Sequence, residues 1–103
     1  MSVTVVRYQT KPDRADENEQ LIEKVFVELE ALAPRGLRYA SFRLADGVRF
    51  VHVAAVDTDD GVNPLTATSA FQEFARDIAD RCEVAPVVSD ATVVGSYGFE
   101  RHG

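Results

Sequence analysis

The sequence predicts an α+β fold, one antiparallel sheet with two helices on a single face, in the order β-α-β-β-α-β. Three observations carry this expectation. Two stretches repeat apolar residues every three or four positions, an Asp-Gly pair joins two strand-like runs between them, and β-branched runs open and close the chain. This order is the split pattern of ferredoxin-like folds, which leaves the second face of the sheet uncovered.

Val3 to Gln9 is a β-branched and aromatic run and forms the first strand. Lys11-Pro12-Asp13 breaks it, because proline lacks a donor and pushes the residue before it out of helical angles. Asp13, Asp16, Glu17 and Glu19 then suit the positive end of a helix dipole. Ile22, Val25, Phe26, Leu29, Leu32 and Ala33 give that helix one apolar face, and Pro34 and Gly36 end it. Leu37 to Leu44 and Val48 to Val56 are the second and third strands, joined through Asp46-Gly47 as a two-residue type I′ turn. Asp57 to Thr66 is a loop. Its Asp57-Thr58-Asp59-Asp60-Gly61 run departs from a calcium loop, with Gly fifth rather than sixth and no Glu twelfth. Ser69 and Gln72 form a capping box for a second helix with the stripe Phe71, Phe74, Ala75, Ile78, Ala79 and Cys82, stopped by Pro86. Val87 to Phe99 is the last strand, with Gly95 and Gly98 marking a bulge or a close backbone approach, and Glu100 to Gly103 is a tail.

With 103 residues the chain is a single domain, 1–103, ordered over about 1–99. Apolar residues at 46% and charged residues at 27% exclude a disordered or fibrous chain. A net charge of −6 disfavours nucleic acid and anionic lipid. One cysteine closes no internal disulfide, and no cluster with metal-ligand spacing is present, so no metal is expected. The opening residues lack the apolar core of a signal peptide, and no run reaches membrane-spanning length. A soluble cytoplasmic protein is the expectation.

A two-residue turn at Asp46-Gly47 places Arg43 opposite Phe50, Ser41 opposite His52 and Tyr39 opposite Ala54. One face of the hairpin then carries Ala40, Phe42, Leu44, Val51, Val53 and Ala55 and suits packing under the helices. The other carries Tyr39, Ser41, Arg43, Phe50, His52, Ala54 and Val56, a mixture suited to a ligand cavity closed by a second subunit. A bulge at Gly47 would shift the register by one and mix the two sets.

Lys11-Pro12 after the first strand, Gly36-Leu37-Arg38-Tyr39, Arg49-Phe50-Val51 and Ala70-Phe71 resemble the antibiotic biosynthesis monooxygenase family, a branch of the dimeric α+β barrel superfamily. The resemblance covers nearly the whole chain. It implies a homodimer with two sheets face to face around an apolar cavity. In several members that cavity oxidises phenols, quinols or anthrones with molecular oxygen and no cofactor; others degrade haem, isomerise small molecules or have no known activity. Ala54 and Val56 stand where many members have Glu and Trp, and the second helix has no His of the kind that binds haem iron.

Oxygenation without a cofactor needs a substrate made electron-rich by loss of a proton, a base, a donor for the oxyanion and a cavity that excludes water. His52 is the candidate base, with Arg43 and Tyr39 as donors to the anion. Phe50, Ser41 and Val56 share their face, and Tyr8 and Tyr97 line the pocket if their strands point inward. The bland alternatives are that His52 only hydrogen-bonds Ser41 and that Arg43 pairs with an acid of the partner subunit. Cys82 is a buried small hydrophobe, the acidic residues of the first helix are capping and solvation, and His102 is an inert tail residue. A small-molecule ligand and a homodimer partner are expected. A non-redox binding or isomerising dimer and a structural dimer remain the alternatives.

Overall fold

The computed structural model describes residues 1–98. Strand β1 spans Ser2–Thr10, a 3-10 turn Pro12–Arg14, helix α1 Ala15–Leu32, β2 Leu37–Arg43 and β3 Arg49–Val56. They are followed by α2 Ser69–Arg76, the single turn α3 Ile78–Arg81 and β4 Cys82–Ala91. The four strands form one sheet in the order β2-β3-β1-β4 with every neighbouring pair antiparallel. This is the ferredoxin-like α+β arrangement expected from the order of elements.

The hairpin register is as expected, pairing Arg43 with Phe50, Ser41 with His52 and Tyr39 with Ala54. The turn that sets it is different. Leu44 N–H donates to Arg49 O at 2.8 Å and Gly47 N–H to Leu44 O at 2.9 Å, so residues 45–48 form the loop. Only Gly47 takes a positive φ in this turn, so it is not type I′. Asp46 closes the loop from within, its Oδ1 accepting from the Val48 and Arg49 amides at 3.0 Å each. A four-residue loop preserves the register of a two-residue one because both hold an even number of residues.

The two faces, however, are exchanged relative to expectation. Tyr8, Phe50 and His52 are buried against Ile22, Val25 and Phe74 beneath the helices. Phe42 and Leu44 are instead 50% and 40% exposed on the bare face, at the opposite edge of the sheet from the exposed Val84 and Val87 of β4. Apolarity alone chose the wrong side. The mixed set goes inward because its polar groups find partners in one another, and the apolar set is left outside.

The second helix and last strand also depart from expectation. The α2 cap is Thr68, whose Oγ1 accepts from the Phe71 amide at 3.2 Å, not Ser69. The helix breaks at Asp77, Cys82 opens β4, and Pro86 lies inside that strand. Proline is tolerated there because β4 is an edge strand and its pairing with β1 slips between Arg7 and Gln9. Gly95, Tyr97 and Gly98 lie past the sheet, while Phe99 and the tail with His102 fall outside the described residues.

At the end of α1, Ala33 takes the left-handed conformation with φ 46° and donates its N–H to Leu29 O at 2.7 Å. Gly36 follows at φ 79°, where an added Cβ would meet the Asp57 carbonyl oxygen at 2.5 Å. Only glycine fits this entry into β2.

Candidate functional site

A cavity of about 220 Å³ lies within one chain, between the sheet and the helices. Its floor is Thr4, Val6 and Tyr8 of β1 with Tyr39, His52 and Ala54 of the hairpin. These side chains share a face because Val6 pairs with His52 and Tyr39 with Ala54, and side chains of paired residues point the same way. Phe71 and Phe74 of α2, Ile78 of α3 and the loop residues Asn63, Leu65 and Thr66 form the rest of the wall. The cavity thus lies on the helix side of the sheet, not on the bare face where the hairpin pattern had implied it. A larger hollow of about 430 Å³ around Gly36 is bordered by exposed Met1, Arg35, Arg38 and Asp57 and contains no buried polar group.

His52 is the chemical centre of the cavity. It is 5% exposed, and burial pushes its imidazole down to about 4, so the ring is neutral at pH 7. Tyr8 Oη lies 2.7 Å from Nε2, while Tyr39 Oη and Ser41 Oγ lie 2.7 and 2.8 Å from Nδ1. Tyr8 and Tyr39 also flank the imidazole with their rings, at centroid distances of 5.4 and 5.9 Å. Burial raises both phenols above the ordinary tyrosine range, so they stay protonated as donors. The ensemble is a neutral base with a phenol on each nitrogen, in a cavity that is otherwise mostly apolar, with Thr4, Asn63 and Thr66 as its remaining polar residues.

Of the other residues singled out in the sequence, Ser41 and Phe50 sit behind the cavity wall, Ser41 on His52 and Phe50 stacked on Tyr8 at 5.5 Å. Arg43 lies on the same face but outside the cavity. It is held by Asp16 at 3.1 Å and Glu19 at 2.8 Å, both on α1 of its own chain, and by the Gly47 carbonyl at 2.8 Å. Those two acids thus do more than cap and solvate the helix. Val56 sits at the end of the sheet opposite Ser2 and Leu37, away from the cavity. Tyr97 is 94% exposed beyond β4. Cys82 is half-buried against the core, and burial pushes its thiol up, away from nucleophilic character.

Two buried residues escaped sequence reasoning. Asn18, 0% exposed, donates Nδ2 to Tyr8 Oη at 2.8 Å, and Arg81, 1% exposed, donates Nε to Asn18 Oδ1 at 3.0 Å. Asn18 had a signal: it stands four residues before Ile22, so it extends the apolar stripe of α1 by one turn. Arg81 had none. Among the described residues, no group of three His, Cys, Asp or Glu is placed to hold a metal ion, and no helix is long and apolar enough to cross a membrane.

No family model matches the sequence, and no curated protein matches it. Solved structures do match the fold. Rv0793 from Mycobacterium tuberculosis is 14% identical and superposes with a TM-score of 0.73 over 92% of this chain and 96% of that one. An antibiotic biosynthesis monooxygenase is 20% identical, with a TM-score of 0.73 over 92% of this chain and all (100%) of that one. SnoaB, a cofactor-independent oxygenase from Streptomyces nogalater, is 15% identical, with a TM-score of 0.67 over 94% and 96% of the two chains. The chain therefore has the ferredoxin-like α+β fold of the antibiotic biosynthesis monooxygenases, and resembles them along nearly its whole length.

Proposed function

We propose that the protein is a cofactor-independent oxygenase for a small phenolic, quinol or polyketide-like ring, held between the sheet and the helices, and that it works as a homodimer. The observation that carries this is neutral, buried His52, with Tyr8 on one nitrogen and Tyr39 on the other, on the wall of a mostly apolar cavity. At about 220 Å³ the cavity is smaller than the ~300–1,000 Å³ of pockets for drug-sized ligands, which favours one or two fused rings.

His52 takes the acidic proton of the substrate, and the tyrosine hydroxyls stabilise the oxygen anion left behind. An imidazole held so low by burial is a weak base, but a substrate anion beside it favours the imidazolium and raises its pKa when the two form together. The electron-rich ring then reduces molecular oxygen. For a ring carbon bearing two hydrogens, one oxygen atom stays as a carbonyl and the other leaves as water with both hydrogens, so the substrate supplies all the electrons. The apolar wall of Phe71, Phe74 and Ile78 limits water around the anion. The homodimer is supported by the bare sheet face, whose exposed Phe42, Leu44, Val84 and Val87 suit a twofold pairing of like surfaces.

Oxygen consumption with a panel of one- and two-ring phenols and quinols tests the reading. His52→Ala is expected to lower turnover by ~100-fold with an unchanged circular dichroism spectrum. Ligand binding by the wild type without oxygen uptake would instead identify a non-redox binding or isomerising protein. Absence of both would leave a structural dimer.

A further inference from the structure

Behind His52 a row of hydrogen bonds leads away from the cavity and ends on a buried cation. Arg81 donates Nε to Asn18 Oδ1 at 3.0 Å and Nη2 to the Phe74 carbonyl at 2.7 Å. Asn18 Nδ2 reaches Tyr8 Oη at 2.8 Å, and Tyr8 Oη reaches His52 Nε2 at 2.7 Å. Among the described residues no carboxylate pairs with Arg81. The guanidinium is thus kept in the interior by neutral partners, an arrangement that is costly unless every bond is made.

The direction of each bond follows from what the groups are able to donate. A guanidinium only donates, so the Asn18 atom facing it is the carbonyl oxygen and the amide nitrogen faces Tyr8. Tyr8 Oη has a single proton. Asn18 donates to this oxygen, and the acceptor within hydrogen-bond distance of the Tyr8 proton among the described residues is His52 Nε2. A neutral imidazole has one N–H, which is therefore on Nδ1, facing Tyr39 Oη and Ser41 Oγ.

We propose that Arg81 and Asn18 are positioning residues that lock His52 in the Nδ1-protonated tautomer, leaving Nε2 as the proton acceptor reached through Tyr8 and the Tyr39 hydroxyl as donor to the cavity. The proton route rests on the oxygenase reading; the tautomer does not. In that route a substrate hydroxyl gives its proton to Tyr8 Oη as Tyr8 passes its own to Nε2. One substrate O–H bond breaks, one N–H bond forms, Tyr8 ends neutral, and the electron pair remains on the substrate oxygen, where Tyr39 donates to it.

Nitrogen-15 NMR of the labelled histidine rings tests the lock directly, and the chain has only two histidines to assign. The wild type is expected to show a protonated Nδ1 and a bare Nε2 at His52; the reverse pattern overturns the proposal. Asn18→Asp keeps the shape but only accepts hydrogen bonds, so the Tyr8 proton turns to the carboxylate and Nε2 acquires the N–H. That variant is expected to switch the tautomer and lower quinol turnover by ~100-fold. A folded variant with an unswitched ring overturns the lock. Should Asn18→Asp fail to fold, Tyr8→Phe removes the donor to Nε2, and a tautomer still held wholly on Nδ1 overturns it equally. A switch with unchanged turnover supports the lock and overturns the proton route. A wild type inert toward every quinol, with the predicted tautomer, overturns the oxygenase reading alone.

Discussion

Burial pushes the His52 imidazole down from 6.5 to about 4, so between those pH values the unfolded chain takes up a proton that the folded chain refuses. The stability due to neutral His52 is fully present above pH 6.5 and is lost as pH falls toward 4. Between pH 7 and pH 5 the wild type should lose about 2 kcal/mol more stability than a His52→Asn variant, measured by urea denaturation. An equal loss in both would mean that the ring is not desolvated. His52, Tyr39 and Ser41 were legible as a group because strand alternation and an Asp-Gly turn fix who faces whom across a hairpin. Their inward direction was not legible. A face of Tyr, Ser and His reads as too polar for an interior until its mutual hydrogen bonds are known, and Asn18 and Arg81 come from sequence positions 63 apart.

Among the elements, α2 depends on α1 for its start. Glu28 Oε1 accepts from the Ala70 amide at 2.8 Å and the Ser69 hydroxyl at 3.1 Å, and Oε2 accepts from the Ser69 amide at 3.2 Å. These bonds, the Ala70 amide foremost, hold the carboxyl below the usual glutamate range. The helix they anchor carries Phe71 and Phe74 into the cavity wall. Glu28→Ala should lower the melting temperature by a few degrees at pH 7. A depressed carboxylate stabilises above its unfolded pKa, so the difference should shrink as pH falls through the folded value. At the other end of α1, Ala33→Gly removes the cost of a left-handed alanine and should raise stability by about 0.5–1 kcal/mol in thermal or urea melts. The strands and the first helix were readable from periodicity. The break at Asp77 was not, because the stripe from Phe71 to Cys82 continues across it and Pro86 looks like a stop until β4 is known to be an edge.

For the whole molecule, the bare face carries Phe42, Leu44, Val84 and Val87, all at least 40% exposed. They lie along the two edges of that face, with Val51, Arg7, Arg49 and Gln9 between them, and exposed apolar side chains in such numbers mark a surface for association. The protein should sediment as a dimer at micromolar concentration, and Phe42→Asp should shift it to monomer, because a twofold interface meets the new charge twice. A wild type that sediments as a monomer would remove the dimer but not the cavity lining named above, all of which comes from one chain. The sequence drew the expectation of a dimer from Phe50, Val56 and Tyr39; Phe50 is buried and Tyr39 faces the core, so the sedimentation test turns on Phe42, Leu44, Val84 and Val87 instead.

The even count of the 45–48 loop also bears on how the chain tolerates insertion and deletion. Losing or gaining two residues there leaves every side chain of β2 on its present side. A single-residue change must either turn β2 over or be absorbed as a bulge. Turning β2 over withdraws Tyr39 and Ser41 from His52 Nδ1, and a bulge spares them only where it is confined to the tip. Length variation among descendants of this sequence should therefore come in steps of two at this tip, although the loop itself is on the surface and touches no part of the cavity.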